Sequence, residues 1–330
     1  WRGLLHGYKL ERANGKRSFL TSAGHLLRYK IQFSSPFLHV SGWSPSIRIA
    51  RSVSMSLTRR LFLFLGMGMV GLLPVHAQSS YDLYGSARAD ALGNATTASL
   101  AAAGVHANPA AHAGKSETAL TLYAREGFGL SALRYGATHV AVPFSWGTVS
   151  GSASTFGFED YREVHLSAGY ARQFHFGTSR SVHVGLTSRY YHTSIAGYGS
   201  TGTLGVNAGF ILTVLRSLAL GAHATNVTGS ALTEDAPIPR TLAVGLRYQA
   251  LEQMRVLVDV FKDVRFPTSV RGGLEVSPVS VLTLRAGITT TPVRFMGGIG
   301  VHLGPLRANL AAEQHQELGW SPSASLRVQW

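Results

Sequence analysis

Between Ile238 and Trp330, apolar residues return at every second position, and this alternation confines the chain to very few folds. Leu242, Val244, Leu246 and Tyr248 alternate with Thr241, Ala243, Gly245 and Arg247. Met254, Val256, Val258 and Val260 alternate with Arg255, Leu257, Asp259 and Phe261. Leu282, Leu284, Ala286 and Ile288 alternate with Thr283, Arg285, Gly287 and Thr289, and Ala324, Leu326, Val328 and Trp330 with Ser325, Arg327 and Gln329. A period of two in segments of about ten residues, broken by turn residues, marks strands with one apolar and one polar face. Two architectures share that pattern: a soluble sandwich with the apolar face inward, and a transmembrane barrel with the apolar face outward.

The arginines set the parity in the second case. An Arg on the lipid face of a barrel costs about 2–4 kcal/mol at the bilayer midplane. Arg247, Arg285 and Arg327 share a parity with Thr, Ser and Gly, so that parity must face the lumen, and the opposite one is almost purely Leu, Val and Ile.

The upstream sequence favours the barrel. Met55 opens a stretch with Arg59 and Arg60, the apolar run LFLFLGMGMVGLL at 61–73, and Val75-His76-Ala77 before Gln78. A short basic region, an apolar core and a small-x-small site make a signal peptide over 55–77. The apolar run is well short of the roughly 20 residues that span a bilayer. Residues 1–54 show neither sustained periodicity nor a capped helix, and the expectation is that they are translated upstream sequence without packing. They carry nine Lys/Arg and one acid, against 19 basic and 15 acidic residues from Gln78 onward, so the formal charge of +14 is concentrated outside the expected mature chain. A nucleic-acid footprint is therefore not expected. The absence of Cys removes disulfides and thiolate metal sites.

From Glu117 onward the pattern predicts about fourteen strands, near 117–125, 129–142, 146–158, 161–175, 181–194, 202–214, 217–227, 239–249, 254–264, 268–277, 280–289, 293–303, 305–315 and 321–330. An even count suits a bacterial outer-membrane barrel, as do short turns at one end and longer loops at the other. Residues 195–201, 228–238 and 314–320 form the longer set; 143–146, 215–217, 277–280 and 304–305 form the shorter. The terminal aromatic Trp330, after an apolar alternation, has the form of an assembly signal read by the barrel-assembly machinery. The expected fold is an all-β transmembrane antiparallel barrel over 117–330, embedded in outer-membrane lipid of a bacterial cell.

Residues 78–116 differ. They are rich in Ala and punctuated by Gly, with few charges and an Asn108-Pro109 turn, so small helical turns are expected rather than a strand. Parity also places glycines on the lumen face, among them Gly185, Gly209, Gly221, Gly245, Gly273 and Gly287. Gly in a strand interior often marks close approach of another backbone. The segment is therefore expected to lie in the lumen as a hatch, with Asn108, Pro109 and Ala110 at its turn. The same parity collects a lumen charge cluster of Arg247, Asp259, Arg271, Glu275, Arg285, Arg307, Glu313 and Arg327. Its plain reading is a polar interior satisfied by ion pairs and water; its sharper one is a cationic constriction acting on anionic or amphipathic solutes. No nucleophile elbow, metalloprotease helix, phosphate loop or dinucleotide fingerprint occurs, so neither catalysis nor a bound cofactor is expected.

The run Gly85, Ala87, Arg88, Leu92, Gly93, Ala95, then Asn108, Pro109 and Ala110, resembles the N-terminal region of FadL-like outer-membrane proteins, particularly the PorV/PorQ branch. Asn226 to Gly229, Ile238-Pro239, Leu242 to Leu246, Leu284 to Gly287 and Leu318-Gly319 are similar to its later strands. The resemblance implies a fourteen-stranded barrel with an N-terminal hatch. It implies one of two roles: an accessory to secretion or surface assembly, with secretion-system components as partners, or passage of fatty acids and other small hydrophobic compounds. The brief external loops favour the first, because they leave little room for a large surface lipid cleft.

Overall fold

The computed structural model describes residues 85–101, 108–177 and 180–330; the upstream extension, the signal peptide and residues 78–84 lie outside them. Fourteen antiparallel strands close into one barrel. In chain order these are β1 (Ala119–Glu126), β2 (Arg134–Phe144), β3 (Gly147–Gly157), β4 (Tyr161–Phe176), β5 (Arg180–Ile195), β6 (Gly199–Leu215) and β7 (Leu218–Thr225). A small separate hairpin follows, β8 (Ala231–Thr233) and β9 (Ala236–Pro237). The wall resumes with β10 (Thr241–Leu251), β11 (Met254–Asp263), β12 (Ser269–Val279), β13 (Leu282–Thr290), β14 (Val293–Leu303), β15 (Leu306–His315) and β16 (Gly319–Gln329). Each wall strand pairs with its neighbours along the chain, β7 pairing directly with β10, and β1 closes on β16 in the register Ala119 with Gln329 through Arg125 with Ser323.

Two local features depart from the sequence reading. Residues 127–133 form two single 3-10 turns, with Phe128 in the left-handed region at φ 53°, so β2 begins at Arg134 rather than near 129. The 226–240 connection is a folded loop. Buried Asn226 donates from Nδ2 to the carbonyls of Ser230 (3.0 Å) and Ile238 (2.9 Å), and these bonds bring together the ends of the segment carrying the β8–β9 hairpin.

Side-chain direction follows the parity deduced from the arginines. Along β10, Leu242, Val244, Leu246 and Tyr248 are exposed, while Thr241, Ala243 and Gly245 are buried. Along β13, Leu284, Ala286 and Ile288 are exposed, and Thr283, Arg285 and Thr289 are buried. An eleven-residue strand such as β10, tilted by about 40°, climbs about 28 Å, close to the thickness of bilayer hydrocarbon. Aromatic residues collect at the rims of this apolar band. Phe144 stacks on Trp146 (5.0 Å between centroids) and Trp146 on Tyr170 (5.5 Å), beside the 145–146 turn. Trp320, Tyr198 and Phe158 are exposed at the opposite rim. Such amphipathic girdles sit at headgroup level.

At the end of the barrel holding Thr118 and Trp330, the connections 145–146, 216–217, 252–253, 280–281 and 304–305 are two residues long. The other end carries the longer 127–133, 226–240 and 264–268 segments. Trp330 itself is exposed, and its backbone exchanges hydrogen bonds with Thr118 (2.9 and 3.0 Å), which extends the closing ladder by one pair.

An outward Leu near mid-strand should not accept charge. We expect Leu246→Arg to lower folding stability in bilayers by about 2–4 kcal/mol relative to Leu246→Ala, measured by denaturant titration in lipid vesicles; equal stability of the two variants would contradict the outward parity.

Candidate functional site

The barrel encloses protein rather than an empty bore. Residues 85–101 and 108–115 lie against the inner wall, with α1 (Ala87–Ala91) and a 3-10 turn at Pro109–His112 as their regular parts. Small side chains allow this. Ala87 and Ala91 are fully buried against Tyr123, Tyr135 and Phe156; Leu92 and Ala95 against Leu257; Ala110 and Ala111 against Ile211 and Ala219. The wall answers with glycine. A Cβ on Gly209 would run into the Asn108 side chain, and one on Gly287 into the Gly93 backbone. Close approach of two backbones, not turn geometry, is what these strand glycines provide.

Polar pegs fix the register of the inner segment on the wall. The Asn108 side chain accepts from the Ala110 amide (3.0 Å) and donates to the carbonyls of Thr97 (2.8 Å), Phe210 (3.2 Å) and Ala222 (3.2 Å). Thr97 donates its amide to Asp259 (2.9 Å). Tyr123 donates its hydroxyl to Asp90 (2.6 Å). Of the turn residues singled out in the sequence, Asn108 is therefore a four-bond peg, while Pro109 and Ala110 are buried contacts, Pro109 lying where Gly185 has no side chain.

The eight lumen charges separate into distinct groups. Glu275 is the hub of the first: Arg285 (2.7 Å), Arg255 (2.8 Å) and Arg88 (2.9 Å) all bond it, and Arg285 also reaches Asn309 (3.0 Å). Glu313 centres the second, pairing with Arg125 (3.1 Å) and Arg294 (3.2 Å), with Asp90 at 3.8 Å from Arg125. Burial raises the Asp90 carboxyl above its usual range, against the opposing pull of Arg125 and Tyr123. In the third group Asp259 holds Thr97 and faces Arg271 across β11 and β12, and the Arg271 guanidinium lies 3.7 Å from the centroid of the Phe261 ring. Arg247 joins none of these ion pairs. Arg307 and Arg327 stand opposite each other on β15 and β16.

The lumen-parity reading missed Arg88, Asp90 and Thr97, which come from the inner segment and have no strand parity, and it placed Arg125 and Arg255 in no cluster. Arg88 did carry a signal, standing within the Gly85-Ala87-Arg88 motif.

Near the Thr118 end, His112 stacks on His139 at 4.5 Å. Burial first, and then the neighbouring His139, Lys115 and Arg327, push the His112 imidazole well below its ordinary value. Lys115 donates to the Leu100 carbonyl, and burial, then Arg327, Arg88 and Arg307, bring its ammonium down to about 8.

No protein-family model and no curated relative matches the sequence. Among solved structures, a Pseudomonas aeruginosa FadL homologue superposes with TM-score 0.51 at 11% identity, covering 75% of this chain and 98% of that one. The Pseudomonas putida toluene transporter TodX gives 0.49 at 12% identity, with 76% and 98% covered. The Acinetobacter baumannii outer membrane protein Omp33 gives 0.45 at 8% identity, with 65% and 98% covered. The chain thus has the closed fourteen-stranded fold of an outer-membrane β-barrel, shared with a FadL homologue.

Two outcomes follow from these contacts. Glu275→Gln leaves three guanidiniums around a neutral amide, and a loss of about 3–5 kcal/mol is expected, the usual cost of stripping one partner from a buried pair; denaturant unfolding in vesicles reads it. His112 is held neutral in the folded state, so its contribution is present above the unfolded value near 6.5 and is lost as pH falls below it. The denaturant midpoint in vesicles should therefore fall as pH drops from about 7.5 to 5, and His112→Gln should flatten that dependence.

Proposed function

We propose that this chain is a non-enzymatic outer-membrane channel for small hydrophobic compounds, with residues 85–115 acting as its hatch. The observation that carries this reading is the inner segment, seated on wall glycines and pegged by Asn108, Thr97 and Asp90. A barrel filled in this way serves poorly as a general water-filled pore. It suits molecules that dissolve in the membrane and need only a guarded path. The fold shared with a FadL homologue supports the same reading. A shallow depression of about 580 Å³ at the long-loop end supports it further. There outward Ala124, Gly136 and Ala324 are flanked by Leu310, with charged Glu126, Arg134 and Arg162 at the edge. An apolar molecule arriving through the bilayer would meet this surface first.

The motif run at 85–113 leaves a second role, accessory to secretion, in the PorV/PorQ manner. One comparison separates the two. Cells lacking the protein are expected to take up a radiolabelled monoaromatic or medium-chain alkane probe more slowly, with the rate restored by the wild-type gene. Deletion of 85–113 should leave a folded, heat-modifiable barrel with raised single-channel conductance. Unchanged uptake, together with secretion components recovered in mild detergent, would replace the channel reading by the accessory one.

A further inference from the structure

The Thr118 end of the lumen holds a cavity of about 300 Å³ that hydrophobic passage does not account for. Its charged lining comprises Arg88, Arg255, Arg285, Arg307 and Arg327 against a single carboxylate, Glu275. Three of those arginines already share Glu275 at 2.7–2.9 Å. Arg307 and Arg327 have no carboxylate within ion-pair distance among the described residues, although they face each other directly across β15 and β16. The Nε of Arg327 is buried and makes no hydrogen bond. Glu117, exposed at the rim, acts on Arg327 only from beyond ion-pair distance. Like charges set opposite each other in a sheet repel; Arg307 is exposed at the mouth and Arg327 half-buried, and the described wall offers the pair no carboxylate within ion-pair distance. Burial is the main cause of the depressed Lys115 ammonium, and Arg327, Arg88 and Arg307 add to it.

We infer that this cavity binds a phosphate-type oxyanion between Arg307 and Arg327. Planar guanidinium forks match the paired oxygens of phosphate, and charge-assisted hydrogen bonds of this kind are the strong ones. Hydroxyls of Thr121, Thr283 and Ser325 line the same space and can complete the shell. A volume of about 300 Å³ is roughly ten times the share of one liquid water, so the site has room for an ester substituent as well as the anion. The cavity stands apart from the apolar depression at the other end, and anion binding does not depend on hydrophobic passage.

The test is calorimetric titration of the full chain in maltoside detergent with sodium phosphate and, in a second arm, with a short-chain lysophosphatidate. Saturable binding of phosphate is expected, weakening as salt is raised. The Arg307→Gln/Arg327→Gln variant should bind about tenfold or more weakly, as loss of two charge-assisted forks requires, whereas outward Arg134→Gln should bind as wild type. The double variant removes a repulsion rather than a partner, so it should retain its heat-modifiable gel shift. Arg327→Lys, which keeps the charge and loses the fork, should fall between. Equal affinity for the two ligands identifies the free anion as the occupant, and clearly tighter lysophosphatidate identifies a lipid phosphate; both support the site. Absence of saturable binding in both arms, or undiminished binding by the double variant, overturns it.

Discussion

Hydrocarbon offers no hydrogen bonds, and this single fact governs the molecule. Each backbone amide and carbonyl at membrane depth must find a partner within the protein, and a sheet does so only by leaving no edge. The pairing of β1 with β16 is therefore the condition for the other strands to exist in a bilayer, not one contact among many. Closure also fixes every side chain's direction. Once Ala119 faces Gln329, a shift of one residue in any strand would turn its Leu and Val rows inward and its arginines into lipid.

The same closure creates the problem that the inner segment addresses. Inward-facing polar groups, cut off from bulk water, need partners of their own. Glu275 serves Arg255 and Arg285 from the wall and Arg88 from the segment. Glu313 serves Arg294 on the wall, while Arg125 bridges it towards Asp90 on α1. Asp259 binds the Thr97 amide. Charge and hydrogen bonding thus cross between the two parts at each level of the lumen. Ala and Gly contribute complementary shape, since α1 and the Pro109–His112 turn can approach the wall only where both surfaces lack bulk.

How much of this the sequence discloses depends on the range of the interaction. Strand direction is a local property with period two, and β10, β11 and β13 were readable residue by residue. Leu257 shows the limit of polarity as a guide: it is apolar yet inward, buried against Leu92 and Ala95, and only the parity of its neighbours Arg255 and Asp259 places it. Turn chemistry was less legible. The start of β2 depends on Phe128 adopting a left-handed conformation that no motif announces, and the β8–β9 hairpin depends on Asn226 bonding across the loop to Ile238. Least legible was the pairing of charges. Arg88 and Glu275 are 187 positions apart, and only the seat of α1 on β13–β15 brings them together. Parity could gather lumen charges on one face; it could not say which acid served which base.

The resulting lumen is asymmetric along its axis. At the long-loop end Arg125 and Arg294 meet Glu313 and Asp90 inside the lumen, and the outer wall there bears a depression where Ala124, Gly136 and Ala324 lie between Leu310 and the charged edge of Glu126, Arg134 and Arg162. At the Thr118 end five arginines surround one glutamate. Arg307 and Arg327 stand opposite each other there without a carboxylate within ion-pair distance among the described residues, a like-charge contact that the proposed anion would relieve. A neutral apolar molecule has little interaction with this field. Charge placement along one barrel axis therefore sets its two ends apart without separate domains: the proposed oxyanion site lies where five arginines surround one glutamate, the proposed apolar entry at the other end.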